Sequence, residues 1–420
     1  MDVSCKKEAG KGHNTEVVSM REIIHRPLYM KKIEPFVGKD LIKVFIGQRR
    51  VGKSCLMLAV QEHLRTRKDA PHIIAIDKER HEFDEIHDAS SLVDYVEREA
   101  TGPFNALFID EVQEIAGFER ALRSLNASGR FDIYCTGSNA NLLSRELSTL
   151  LAGRCIEIDV FPLTYPEFLV FHDLENSDES LRTYLKHGGL PYLRHLERSD
   201  EVVFEYLRNI YQAILFRDVV ARHQIRNLDL LQRLVRFLSD NVGSLVSANG
   251  ITKFLKSQQL KTSTKVVLEY LGYLHEACFI RKTPRYDIRG KRLFEVNDKY
   301  YFADLGLRNA IAGYRPADIS KLLENVVYHH LVTHGYDVTV GVLGDKEIDF
   351  VAQRDGQVEY YQVAYQLSDE SVVAREFGNL ARIPDHYLKR VITMDSLAGG
   401  NQEGIEHIHV RTFLMEHCQL

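Results

Sequence analysis

The chain has 420 residues, 45% of them hydrophobic and 27% charged, with a formal net charge of -5. That length exceeds what one core organises, since cores stop growing at roughly 250 to 300 residues, so two or three domains are expected. The composition excludes extended disorder, and the mild acidity means that any contact with nucleic acid must come from a local patch. Six cysteines (Cys5, Cys55, Cys135, Cys155, Cys278, Cys418) stand singly. They exclude a C-x-x-C zinc pair and a secreted disulfide framework, and they point to a reducing cytoplasm. Met1 to His13 has no apolar stretch, and no run of about 18 apolar residues occurs, so neither a secretion signal nor a membrane span is expected.

In chain order, an apolar run from Ile42 to Ile46 breaks at Gly47 and resumes as a helical pattern from Lys53 through Leu64. Further strand-like runs follow at His72 to Ile76, Ala106 to Ile109 and Phe131 to Thr136, separated by polar helical segments. This alternation predicts a mostly parallel sheet with helices on both faces. A run from Cys155 to Val160 precedes Phe161-Pro162-Leu163-Thr164, after which Tyr165 to Glu175 reads as the start of a helical lid. Between Leu228 and Leu305 the pattern becomes three short helices and two strands: Leu231 to Leu238, Ile251 to Leu255, Thr264 to His275, then Phe279 to Tyr286 and Arg292 to Phe302. A winged helix is the economical reading, with Thr262-Ser263-Thr264 capping its third helix. The last hundred residues start with a helix containing Glu324 and continue through strands near Tyr336 to Leu343, Glu347 to Gln353 and Val358 to Tyr365, as in a separate α/β domain. The expected organisation is thus a tail (1-22), a nucleotide-binding core (23-162), a helical lid (163-227), a winged helix (228-305) and a terminal α/β domain (306-420).

Gly47-Gln48-Arg49-Arg50-Val51-Gly52-Lys53-Ser54, followed by Cys55, fits G-x-x-x-x-G-K-S between a strand and a helix. Such a loop converges backbone N–H groups at the positive end of a helix dipole and so binds polyphosphate. Lys53 would reach the β- and γ-phosphates of ATP, and the Ser54 hydroxyl would take a place on Mg²⁺. Leu107-Phe108-Ile109-Asp110-Glu111 ends a buried strand in two carboxylates, Asp110 suited to the metal and Glu111 to polarising the attacking water. Thr136-Gly137-Ser138-Asn139 ends another strand with small polar groups, of which Ser138 or Asn139 would orient water beside the γ-phosphate. Arg154 and Arg217 are candidates for stabilising charge on the transferring phosphoryl group.

On these motifs the chain resembles a prokaryotic AAA+ ATPase carrying a C-terminal DUF4143 domain. The resemblance extends through Leu151-Ala152-Gly153-Arg154, Phe161-Pro162-Leu163, Gly188-Gly189-Leu190-Pro191 and Asp304-Leu305-Gly306, from about Ile24 onward. It implies an ATPase module, a winged helix and a last domain like the PD-(D/E)xK nuclease fold. In that fold a helix glutamate, a strand aspartate and an E-x-K gather at one site. Glu324 and Asp349 occupy the first two places, whereas the third reads Gln362-Val363-Ala364 and lacks both glutamate and lysine.

The densest basic region is Lys253, Lys256, Lys261, Lys265, Arg281, Lys282, Arg285, Arg289, Lys291 and Arg292. Spread over helix and hairpin, it suits phosphate backbones. Two functions stay open: an ATP-hydrolysing motor or switch acting on DNA, and a scaffold that binds ATP to control a protein partner. A nuclease-associated ATPase is the third. Assembly into a homo-oligomer is implied by the resemblance alone.

Overall fold

The computed structural model describes residues 24-137, 153-294, 297-396 and 398-416. After helix α1 (Pro27–Ile33), strand and helix alternate: β1 (Ile42–Ile46), α2 (Lys53–Arg65), β2 (His72–Asp77), α3 (Ala89–Glu99), β3 (Asn105–Asp110), α4 (Phe118–Ala127), β4 (Phe131–Gly137) and β5 (Cys155–Asp159). The five strands pair in parallel in the order β2-β3-β4-β1-β5. Every residue of β1, β3 and β4 is buried, as expected of strands covered on both faces. Side chains alternate between those faces. Phe45, Phe108 and Tyr134 pack with Leu56, Met57 and Val60 of α2, while Val44, Leu107, Ile109 and Ile133 pack with residues of α3 and α4. An ion pair lies inside this sheet: Lys43 of β1 pairs with Asp132 of β4 and donates to the Lys39 carbonyl at 3.1 Å.

Next come α5 (Tyr165–His172), α6 (Asp178–His187) and α7 (Asp200–Ala213), which runs on as an eight-residue π-helix, Ile214–Ala221. Helices α8 (Leu228–Asp240), α9 (Ala248–Ser257) and α10 (Thr264–Glu276) follow, the last capped by Ser263, whose side chain accepts from the Val266 N–H. The strands after α10 divide more finely than their apolar pattern predicts. β6 (Ile280–Thr283) pairs antiparallel with β9 (Lys299–Phe302), whereas β7 (Arg285–Asp287) and β8 (Arg292–Leu293) join a different sheet. Pro284 sits at the break, where the missing N–H ends one ladder.

Beyond α11 (Leu305–Ala312) and α12 (Ile319–Thr333) lie β10 (Asp337–Leu343), β11 (Lys346–Arg354), β12 (Gln357–Val363), α13 (Glu370–Ala381), β13 (Leu388–Thr393), β14 (Asn401–Gln402), β15 (Ile405–His409) and α14 (Val410–Met415). The second sheet runs β14-β15-β13-β12-β11-β10-β7-β8. Strands β12 and β13 are parallel with α13 between them, a βαβ unit. Among the described residues, no helix is long and apolar enough to cross a membrane.

Two short glycine motifs far apart in sequence meet in space. The Gly189 N–H donates to Asp304 Oδ2 at 2.7 Å, and the Leu307 N–H donates to Asp304 Oδ1 at 3.0 Å. A Cβ on Gly188 would sit 2.4 Å from Asp304 Oδ1, and one on Gly306 would sit 2.0 Å from the His187 carbonyl oxygen, so neither position admits a larger residue. Burial pushes the Asp304 carboxyl up to about 6 despite these donors. Asp304→Ala strands both N–H groups in a dry site, a loss of about 1 to 3 kcal/mol for each. The variant is expected to melt well below the parent in a thermal denaturation series.

Candidate functional site

The carboxyl ends of the parallel strands converge on one edge, where ligands of open α/β sheets bind. The register sets Phe45 beside Thr136, Ile46 beside Gly137 and Asp77 beside Asp110. From that edge the chain leaves β1 at Gly47. A Cβ on Gly47 would lie 2.2 Å from the Val160 carbonyl oxygen, so only glycine lets the loop pass β5. Arg50 and Gly52 have φ of 70° and 94°, and Gly52 is the N-cap of α2. Ser54 and Cys55 open the helix at the surface, while Gln48, Val51 and Lys53 are buried.

Lys53 is the centre of the site. Its ammonium is 6% exposed and donates to the carbonyls of Gly47 at 2.9 Å and Gln48 at 3.2 Å, with no carboxylate in ion-pair range among the described residues. Burial lowers its pKa, an effect that Glu111, Cys278 and Asp110 oppose. Asp110 is buried, which raises its pKa, and its carboxylate accepts from the Ser54 and Thr136 hydroxyls. The Thr136 oxygen also accepts the Glu111 N–H at 2.9 Å, so this one hydroxyl ties the ends of β3 and β4 together. Glu111 takes φ 54° and its carboxylate accepts from the Gln113 amide.

Residues outside the motifs hold the loop in place. Arg26, 5% exposed, donates to both carboxylate oxygens of Glu167 at 2.8 and 2.9 Å and to the carbonyls of Val51, Phe161 and Pro162. Glu167 also accepts the Thr164 N–H at 2.9 Å, which fixes α5 against the loop. Burial alone would lower the Arg26 pKa, but Glu167 raises it. Arg49 donates through Nε and Nη2 to the two oxygens of Asp218 at 3.1 Å each.

Of the candidate residues, the structure brings together Gly47 to Cys55, Asp110 and Glu111. Ser138 and Asn139 lie outside the described residues. Arg154 is elsewhere: its carbonyl accepts the N–H of Ile42 at the opposite edge of the sheet, so the length of β1 separates it from the loop of its own chain. Five residues at about 3.3 Å each make that roughly 16 Å. Arg217 is exposed on the π-helix. Arg281, counted with the basic surface, instead turns inward, pairing with Asp159 at 3.3 Å and lying over the Phe161 ring at 5.1 Å.

A loop with one close glycine approach and a buried lysine that meets no carboxylate among the described residues fits a polyphosphate. The Gln48 side chain adds buried amide atoms without a partner. Ser54 with Asp110 supplies the oxygen donors that a hard divalent cation takes.

The second cluster is in the last domain. Glu324 of α12, Asp349 of β11 and Gln362 of β12 do meet, at a cavity of about 640 Å³ that Glu347 and Glu376 also line. Lys299 of β9 supplies a lysine that the E-x-K position lacks. Its ammonium reaches Glu324 at 2.7 Å, Glu347 at 2.8 Å and Asp349 at 3.6 Å. Tyr301 donates to Glu324 at 2.6 Å, and Gln362 accepts the Asp349 N–H while donating to Glu376 at 2.6 Å. The cluster is therefore a lysine-centred hub of carboxyl groups joining β9 to the terminal sheet. Among the described residues, no group of three or more His, Cys, Asp or Glu is disposed to hold a metal.

A family model described as AAA domain matches residues 39-169, and a second, described as domain of unknown function (DUF8612), matches residues 178-318. The latter replaces the DUF4143 label that the resemblance carried. An uncharacterized protein of Haemophilus influenzae is 34% identical over 404 residues, covering 94% of this chain and 100% of that protein. Uncharacterized protein MJ1544 of Methanocaldococcus jannaschii is 28% identical over 375 residues, covering 85% and 80%. The chain thus carries an AAA domain in its first part, and it belongs to the same family as the Haemophilus influenzae protein. Among solved structures, the Aeropyrum pernix ORC2 protein in its ADP form superposes with a TM-score of 0.34 at 12% identity, over 74% of this chain and 92% of that one. Likeness at that level carries no functional argument.

Thr136→Val keeps the shape of the strand end but removes the hydroxyl shared by Asp110 and Glu111. Were the site to hydrolyse a nucleotide, affinity would be expected to stay near that of the parent while turnover falls about tenfold or more, as when a positioning contact to a catalytic group is lost. A titration and a rate measurement on the same sample check the split. In the second cluster, burial and then Glu324 push the Asp349 carboxyl up from the ordinary 3.8 to about 8. The folded state therefore binds the extra proton between those values, and stability falls as pH rises through that window. Asp349→Asn, which cannot ionise, is expected to gain on the parent between pH 5 and pH 8 in urea unfolding.

Proposed function

We propose that this chain is a MgATP-dependent ATPase that couples hydrolysis to a nucleic-acid or protein partner. The observation that carries this reading is Lys53, a buried side chain at the N-terminus of α2 whose ammonium is held, among the described residues, by two carbonyls of its own loop. A buried cation is retained at a helix N-terminus when an anion completes the site.

Mg²⁺, held by Ser54 and Asp110, would draw charge from the phosphates. Lys53 binds the β- and γ-phosphates and the loop N–H groups orient them. Thr136 keeps Asp110 and Glu111 in register. Glu111 accepts a proton from water as its oxygen bonds to the γ-phosphorus and the bond to the β,γ-bridging oxygen breaks, so that ADP and inorganic phosphate leave. Asn139 remains our choice for orienting that water, and Arg154, exposed at the far edge, is a residue to offer to a neighbouring copy in an oligomer.

The three helices α8 to α10 and the antiparallel pair β6–β9 support the winged-helix reading of residues 228-305, while β7 and β8 within that span pair with the terminal sheet. Lys253, Lys256, Lys261 and Lys265 are exposed there beside the exposed Phe254 and Leu268. That surface favours DNA as the partner, with a protein-directed switch as the alternative. The nuclease-like domain at 306-420 is read as a structural relative of that fold whose cluster is occupied by Lys299.

Lys53→Ala removes charge-assisted bonds of about 1.5 to 3 kcal/mol each, and ATP affinity is expected to drop about 100-fold. Glu111→Gln is expected to bind ATP as the parent does but to turn over about 10² to 10⁴ times more slowly. Calorimetric titration and steady-state phosphate release, with and without DNA, separate these outcomes. Tight ATP binding by Lys53→Ala would refute the assignment.

A further inference from the structure

Of the arginines that the motifs nominate, Arg154 is at the far edge of the sheet and Arg217 is exposed on the π-helix. Arg49 is already inside the loop, two residues after Gly47. Its side chain is 12% exposed and its Nε and Nη2 are taken by the two oxygens of Asp218, itself 3% exposed. Among the described residues, Nη1 has only a loose approach to Glu79, 3.6 Å away on a carboxylate that is 56% exposed. Arg49 stands four residues before Lys53 in the loop that opens α2, and its charge and those of Lys53 and Glu111 act on one another. A bidentate carboxylate fixes the plane of a guanidinium and leaves its remaining N–H groups aimed in one direction.

Asp218 owes its place to an uncommon backbone. It lies within the π-helix Ile214–Ala221, where Phe216 and Arg217 face solvent while Asp218 and Val219 are buried. Runs of π-helix are rare and concentrate at functional sites. A buried ion pair contributes little net stability of its own.

We propose that Arg49 is the arginine this chain itself brings to the terminal phosphate, and that Asp218 is the residue that positions it. The inference rests on the reading of the loop as an ATP site. It assigns Arg49 to the γ-phosphate, the group that ADP lacks, and Asp218 acts only through Arg49.

The test uses the full chain with Arg49→Ala, Arg49→Lys, Asp218→Asn and the double variant Arg49→Ala/Asp218→Asn. Affinities for ATP and ADP come from calorimetry, and hydrolysis from single-turnover rates. Arg49→Ala is expected to slow hydrolysis about 10³-fold, the lower range for an arginine on a transferring phosphoryl group. Its ADP affinity stays within about threefold of the parent, a change of under about 1 kcal/mol. Arg49→Lys does not restore the rate, because an ammonium cannot present the paired fork. Asp218→Asn slows hydrolysis about tenfold with ADP affinity unchanged, and the double variant is no slower than Arg49→Ala, as for residues acting as one unit. Hydrolysis by Arg49→Ala near the parental rate overturns the proposal, as does an equal loss of ATP and ADP affinity accompanied by a lowered melting temperature. Additive losses in the double variant overturn the role of Asp218. A parent chain that binds neither nucleotide overturns the ATP reading and this inference with it, an outcome distinct from a parent that turns over normally beside an unaffected Arg49→Ala.

Discussion

A charge taken out of water must be answered by another, and this constraint organises the nucleotide edge of the molecule. Three cations surround the loop from Gly47 to Ser54. Arg26 is answered by Glu167 and Arg49 by Asp218, each through two hydrogen bonds. Lys53 has two carbonyls and no carboxylate in ion-pair range among the described residues. The first two pairs tie the loop to the helices that follow the sheet, Glu167 in α5 and Asp218 in the π-helix beyond α7. The third leaves the loop incomplete at the one point where a phosphate would complete it.

Similar ties join residues far apart in sequence elsewhere in the chain. Glu167 caps α5 while holding Arg26, and Asp304 caps α11 while accepting the Gly189 N–H. Lys299 joins the β6–β9 pair to the terminal sheet through Glu324, Glu347 and Asp349. Each junction is a buried polar group with several partners rather than an apolar contact alone, so a change at one is felt by two elements. The apolar core runs on across the same junctions, from Tyr29 to Leu414.

Much of this was legible in the sequence where the physics is local. The strand-loop-helix around Gly47, Lys53 and Ser54, and the buried run ending in Asp110 and Glu111, follow from continuous apolar strands and glycine punctuation. The helices from Leu228 to Glu276 show in their periodicity and in the Ser263 cap. What was hidden depends on long-range pairing. Arg26 and Asp218 carry no pattern of their own; only the fold brings them to Glu167 and Arg49. Lys299 did carry a signal, a lone lysine in the buried strand Lys299–Phe302, but its three carboxylate partners come from other elements. Arg154 lies at the far end of β1 from the loop of its own chain, which its motif did not show because a motif says nothing about which end of a strand it occupies. The strands after Phe279 were read as too long because an apolar pattern does not show a chain switching sheets at Pro284.

The most direct test is a structure of the chain with Mg²⁺ and a non-hydrolysable ATP analogue. In it the Lys53 ammonium is expected to leave the carbonyls of Gly47 and Gln48 for the phosphates, with the cation at Ser54 and Asp110. A structure with the nucleotide bound elsewhere, or with Lys53 still held by its own loop, would contradict the ATP reading.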